Sequence, residues 1–527
     1  MNMKKNMPLD FLKVSNIRTL IASKNAMILL IALFVVSISA PNALAANYYV
    51  DNTATGLNNG TSWTNAWQSF AAITWGGNGV VAGDTLYISG GTTSKTYNEQ
   101  LTPTGDGASG NPITIRTGQD AGHNGLVIID AQTTRNNCIR LSSINYMIVS
   151  GEKNGTINMK CRDTVQHGIS VSGSPIGVII TYIEVDNAGT SDGMHGIAFA
   201  SNNVANNGNE ISYCSVHDAY QDAIQGGTLP VTAYAYLKIH HNNIYNVSDD
   251  GIQSGGGLDI YNNNIGGMRV PPRGSGHPDG IQAMGGHVRI YNNVFTESGH
   301  ANIFVDPINV TGLIVENIYI YNNIFEGDDG DYLAIKIKGD TPNPPDGFNN
   351  VYVLNNTIID MGTDGIIIYN AISGGGTWTN TLVYNNIVYN SYRNNATAAV
   401  VSMGVGDYTT SDVIIDYNTV HEGNSGTSIF NWDGTSYSYN NFVSAGLGQA
   451  HGNHVKPMFV SYSEGTTGNN LRLSSSDRSS KNLGIDLSTY FNTDFYGVLR
   501  PQGLAWDIGA IESVADTTQP SPPFNLR

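Results

Sequence analysis

Between residues 241 and 387 the chain keeps returning to one phrase: a Tyr or similar residue, then Asn-Asn, then an apolar residue within two positions. It reads His241-Asn242-Asn243-Ile244, Tyr261-Asn262-Asn263-Asn264-Ile265, Tyr291-Asn292-Asn293-Val294, Tyr321-Asn322-Asn323-Ile324, Leu354-Asn355-Asn356-Thr357-Ile358 and Tyr384-Asn385-Asn386-Ile387. The first Asn of each pair falls at 242, 262, 292, 322, 355 and 385, in steps of 20, 30, 30, 33 and 30 residues. A near-constant period is the signature of a solenoid, in which each repeat buries its apolar face against its neighbour.

The residues between the pairs alternate β-branched or aromatic with polar over four to six positions, as in Val288-Arg289-Ile290-Tyr291 and Ile318-Tyr319-Ile320-Tyr321. That period of two builds strands. Abundant Asn and Gly, with no sustained 3.6-residue apolar spacing between 136 and 445, exclude helical repeats. The fold class expected is all-β, a single-stranded parallel β-helix. Equivalent residues of successive coils then stack at roughly 4.8 Å, so a repeated Asn becomes a column of amides bonded along the axis. Asn also tolerates the left-handed backbone of a tight corner. Both roles are architectural.

Residues 1–45 carry Lys4, Lys5, Lys13, Arg18 and Lys24, an apolar run from Ala26 to Ser39, and Ala43-Leu44-Ala45. They read as a secretory signal, which makes the expected location secreted or cell-surface. The apolar run is short for a membrane span, and none is expected. Without this segment the formal charge deepens from −17 to about −21. A chain so acidic is no partner for nucleic acid, and it repels an acidic polysaccharide unless a cation or a basic patch intervenes. Cys138, Cys161 and Cys214 imply no disulfide framework and read as small buried residues. A monomer is expected.

Ala66-Trp67-Gln68-Ser69-Phe70-Ala71-Ala72-Ile73 spaces Trp67, Phe70 and Ile73 along one helical face, predicting a short N-terminal capping helix. Gly83-Asp84-Thr85-Leu86-Tyr87-Ile88 and Pro112-Ile113-Thr114-Ile115 read as the first strands. This opening, with Arg500-Pro501-Gln502-Gly503 and Trp506-Asp507-Ile508-Gly509-Ala510 near the end, resembles exported bacterial right-handed parallel β-helix proteins of the pectate-lyase-like superfamily. The resemblance runs from about 47 to 512 and implies a right-handed coil. It says little of activity, because the same coil serves lyases, hydrolases, epimerases and adhesins. The expected segments are 1–45 signal, 46–135 cap and first coils, 136–445 coil body with the groove, 446–513 terminal coils and cap, and 514–527 a Pro-rich linker. The linker resembles the start of a fibronectin type III module.

A second column places a polar residue before Gly-Ile or Ala-Ile: His167-Gly168-Ile169, His195-Gly196-Ile197, Asp222-Ala223-Ile224, Asp250-Gly251-Ile252 and Asp279-Gly280-Ile281. It continues through Ala301-Asn302-Ile303 and Leu333-Ala334-Ile335, where the acid is lost. After the Ile, Gln225, Gln253 and Gln282 give way to Phe304 and Lys336. With the isoleucines inward, these side chains point out. The result is a groove with carboxylates at one end and Lys336 and Lys338 at the other. Asp249, His277 and the loop Asp328-Asp329-Gly330-Asp331 add to it, and His300 lies in the same acidic stretch.

Clustered carboxylates repel unless a cation relieves them, and oxygen ligands on adjacent strands suit Ca²⁺. Such an ion would bridge the acidic protein to a uronate. Ser248-Asp249-Asp250-Gly251-Ile252, preceded by Asp222, resembles the calcium site of pectate lyases that use a lysine base. That resemblance implies Asp222, Asp249 and Asp250 as ligands. Gln253 stands where the family motif has a third Asp, and the following coil carries Arg269, Arg273 and Arg289 in place of a lysine. Asp279, on the next coil, is added as a fourth ligand. The candidate catalytic residues are Arg273, Lys336, Lys338, His277 and Asp279. The competing reading of Asp-Gly as ordinary corner chemistry has Asp364-Gly365-Ile366 in its favour. The expected function is a secreted, calcium-dependent lyase acting on a uronate polymer by β-elimination. Its alternatives are a glycoside hydrolase using Asp249, Asp250 and Asp279, and a non-catalytic carbohydrate-binding protein.

Overall fold

The structure is a computed structural model. It describes residues 45–513 except 201–207, 228–236, 269–276, 308–311, 328–332, 339–344, 370–376, 392–400, 404–408 and 424–428. Residues 1–44, most of the expected signal, and the Pro-rich tail lie outside the described residues, as do Arg269, Arg273 and the Asp328–Asp331 loop.

Successive coils feed three sheets of 13, 12 and 12 strands, the opening turns reaching the first sheet before the second and the second before the third. The first sheet runs from Asn47–Val50 to Val413–Asp416, the second from Ser94–Tyr97 to Thr419–His421, and the third from Ile139–Ser142 to Phe430–Trp432 with a closing strand Thr435–Tyr437. Pairing within the sheets is parallel until that closing hairpin. The chain is a right-handed parallel β-helix, the hand that right-twisted strands favour in parallel crossovers. One apolar core fills it, because alternate residues of every strand point inward. The isoleucines of the third sheet form a fully buried column through Ile169, Ile197, Ile224, Ile252, Ile281, Ile303, Ile335 and Ile366.

The Asn pairs sit at the corner between the first and second sheets, and the two members divide the work. Asn262, Asn292, Asn322, Asn355 and Asn385 take the left-handed conformation, with φ between 49° and 56°. The second member is buried and bonds along the axis: Asn263, Asn293, Asn323 and Asn356 each donate Nδ2 and backbone N–H to Oδ1 of the next Asn at 2.9–3.0 Å. The ladder begins one residue off the sequence phrase. His241, at φ 56°, takes the left-handed place and Asn242 is the ladder residue, so the first true step is 21 residues, from 242 to 263. It also runs on through Asn418, where Tyr417 replaces the left-handed Asn.

The predicted capping helix shrinks to one 3-10 turn, Phe70–Ala72. Trp67 spends its backbone groups on the edge strand, exchanging N–H and C=O with Tyr49 and Asp51 at 2.9 Å, so a helix cannot include it. Trp67, Phe70 and Ile73 are nonetheless buried in the core. All three cysteines are free and buried. At the far end a segment returns along the outside of the coil. Arg500, fully buried, holds it with Glu512 at 2.9 Å and the Gly509 carbonyl at 2.9 Å, which accounts for the Arg500 and Trp506–Ala510 motifs. Among the described residues no helix is long and apolar enough to cross a membrane.

Candidate functional site

The Asp-Gly column lies at the corner where the second sheet hands over to the third. Its residues stack as expected, since the isoleucines two positions on pair in register. Their side chains, however, turn in. Asp222, Asp250 and Asp279 are each 0% exposed, not lined along an open flank. Oδ1 of Asp222 accepts the Asp250 N–H at 3.2 Å, Oδ1 of Asp250 accepts the Asp279 N–H at 3.0 Å, and Oδ1 of Asp279 accepts the Ala301 N–H at 2.8 Å. One oxygen of each carboxyl is thus a ladder rung, the same physical job as the Asn column. The other oxygen carries the chemistry.

Those second oxygens have different surroundings. Oδ2 of Asp222 lies 3.0 Å from Nδ1 of buried His195, on which His167 stacks. Burial and the neighbouring His195 hold His167 down to about 4, so it stays neutral. Oδ2 of Asp250 accepts the Gln253 amide at 2.9 Å, and that amide also donates to Gln282 at 2.8 Å. Burial and the like charges of Asp279, Asp222 and Asp249 push the Asp250 carboxyl well above the ordinary range. Asp249 accepts from Gln221 at 3.0 Å and is raised to about 6, burial being the largest cause.

Asp279 is gripped from both sides. Nδ1 of His300 bonds its Oδ1 at 2.7 Å, and Nδ1 of His277 lies 2.8 Å from its Oδ2. Both imidazoles reach solvent while the carboxylate between them does not. The Asp279 contact raises the pKa of His277. The two rings lie 5.0 Å apart and meet Phe304 at 5.8 and 5.6 Å between centroids. The Lys336 ammonium lies 4.7 Å, and that of Lys338 5.6 Å, from the Phe304 ring centroid. Register explains this: Gln253, Gln282, Phe304 and Lys336 are paired outward positions of the third sheet.

The structure therefore brings His277, Asp279, His300, Lys336 and Lys338 into one strip around Phe304, with Asp249 and Asp250 beside it. Two overlapping sets have ligand atoms within 4.8 Å of one another: Asp249, Asp250 and His277, and His277, Asp279 and His300. Asp222 belongs to neither. A mixed carboxylate and imidazole set fits a divalent cation, with Asp249 and Asp250 supplying the oxygens that Ca²⁺ prefers. His300 had only its place in the acidic stretch to single it out. Phe304 stood in the sequence as the residue where glutamine gives way to an aromatic, but its role as the shared floor of two histidines and two lysines had no signal there.

No family model matches this chain, and no curated protein matches it. Solved structures similar to it include XylC in complex with xylose, 12% identical over 88% of this chain and 98% of that one, with a TM-score of 0.44. Pectate lyase Pel9A is 14% identical over 89% and 97%, with a TM-score of 0.38. The PL6 family polysaccharide lyase Pedsa3628 from Pseudopedobacter saltans is 14% identical over 76% and 94%, with a TM-score of 0.42. Identity at this level speaks of the coil alone, and in its coil the chain is similar to these proteins.

Proposed function

We propose that the protein is a polysaccharide lyase that cleaves a uronate polymer by β-elimination along the strip on the third sheet. The observation that carries this reading is the buried Asp279 carboxylate held between two solvent-facing imidazoles. A carboxylate at Nδ1 fixes the tautomer and leaves Nε2 as the working atom. His300 is the base that takes the C5 proton of the uronate. His277, whose pKa the Asp279 contact raises, is the acid that returns a proton to the leaving O4 as the C4–O4 bond breaks and the C4–C5 double bond forms. Asp279 is a positioning residue. Lys336 and Lys338, beside Phe304, would neutralise the substrate carboxylate, which an acidic protein otherwise repels. Asp249 and Asp250 would hold Ca²⁺, which when bound would supply a Lewis acid for the same carboxylate.

A hydrolase reading has one observation in its favour, the Asp249 carboxyl poised near 6 as a proton donor. One screen separates the two. Pectate, alginate and related uronate polymers are incubated with the protein, with and without Ca²⁺ or chelator, and followed in the near ultraviolet. A lyase produces an absorbing unsaturated end. Replacing His300 with Gln should lower kcat on the order of 10²-fold or more, and Lys336→Met should act mainly on KM. Reducing ends without that absorbance would reject the lyase in favour of the hydrolase, and no product of either kind would reject both.

A further inference from the structure

A second set of ligating side chains lies where the coil closes, well along the axis from the strip. Strand Thr419–His421 ends the second sheet. The chain then returns over it through Asn453, which bridges to Thr419, donates its N–H to the Asn418 carbonyl at 3.0 Å and accepts the Val420 N–H at 3.1 Å. This return sets His454 one layer beyond His421, with 5.1 Å between ring centroids. Oε2 of Glu422 reaches both, lying 2.5 Å from His454 Nε2 and 3.9 Å from His421 Nδ1. The three residues offer ligand atoms within 4.8 Å of one another.

The rings are held in place. His454 stacks on Tyr439 of the α-helix Tyr439–Ser444 at 5.3 Å and 13°, and His421 packs against Tyr389 at 5.9 Å. The Gly423 N–H donates to His421 Nδ1 at 3.0 Å, which fixes the orientation of that ring. Lys456 is drawn over the Tyr389 ring at 5.3 Å. The cluster of Asp186, His217 and Asp218 differs, because an ammonium already sits there: Lys160 lies 2.7 Å from Asp186 and 2.9 Å from Glu184.

We propose that His421, Glu422 and His454 bind a borderline divalent cation of the Zn²⁺ type, which staples the last strand of the second sheet to the returning segment. Two imidazoles and a carboxylate match such an ion and not the hard, oxygen-seeking Ca²⁺. Binding would replace the His454–Glu422 contact with bonds from both side chains to the cation. The test uses the whole protein stripped with chelator, titrated with Zn²⁺ by calorimetry and with Co²⁺ by visible absorption. The wild type should take up one equivalent more than the His421→Ala/His454→Ala variant. Glu422→Gln should weaken that equivalent by at least about tenfold. Zn²⁺ should raise the melting temperature of the wild type and not of the double variant. Equal stoichiometry and affinity in wild type and double variant would overturn the proposal, as would an equivalent that vanishes on His277→Gln instead. If the double variant does not fold, Glu422→Gln decides, and an unchanged Co²⁺ spectrum and affinity there reject the site.

Discussion

Replacing Asp250 by Asn separates the scaffold role of the acidic column from its chemical role. Alanine would remove the acceptor for the Asp279 N–H and confound the two, whereas Asn keeps an oxygen at Oδ1 and the shape of the side chain. What Asn removes is a buried ionisable group crowded by Asp222, Asp249 and Asp279. In the folded protein this carboxyl holds its proton far above the value of 3.8 that it has when the chain is unfolded. A raised acid of this kind leaves stability intact below its unfolded pKa and erodes it as pH rises toward the folded value. At 1.36 kcal/mol per unit between 3.8 and pH 7, the cost in the wild type is at most about 4 kcal/mol. Asn pays some of this back, because its Nδ2 faces the Gln253 amide and both Gln253 and Gln282 must turn over. The expected gain is about 1–3 kcal/mol at pH 7, falling to near zero at pH 4. Urea melts in chelator at pH 4, 6 and 8 measure it. Added Ca²⁺ should close the gap by stabilising the wild type alone, and lyase activity should fall with the substitution. A loss of stability at every pH, or a gap that does not vary with pH, would refute the crowding of charge at this corner.

Two other predictions concern the scaffold. Asn323→Ala strips the acceptor from the Asn293 N–H and amide and the donor from the Ile290 carbonyl, all buried, and should destabilise the protein by about 2–4 kcal/mol in urea titrations. Asn292→Gly, at the left-handed position one coil earlier, should cost under about 1 kcal/mol because Gly accepts that backbone freely. Glu326, buried under the returning segment, accepts the N–H groups of Gly468 and Asn469 and is raised from 4.5 to about 7. Wild-type stability should therefore fall by roughly 3 kcal/mol between pH 4.5 and 7 on this account, and Glu326→Gln should flatten that slope in melts across the range.

The coil was legible because a solenoid is a nearest-neighbour object: stacking one turn on the next preserves register, so a repeated residue in the chain becomes a column in space. The Asn phrase and the inward isoleucines followed from that, and so did the outward run from Gln253 and Gln282 to Phe304 and Lys336. Even the one-residue slip at Asn242 has a readable cause, since His241 serves where Asn usually supplies the left-handed turn. The sequence by itself determined, then, the solenoid, the spacing of its corners and which residues share a column. Only the tertiary structure decided which way the corner carboxyls turn. A strand's period of two assigns its residues to faces, but a corner residue belongs to no strand, and the free N–H of the next coil drew Asp222, Asp250 and Asp279 inside. It likewise decided that His277 and His300 clasp Asp279, because connections of unequal length between coils set which rings meet, and no period encodes their path.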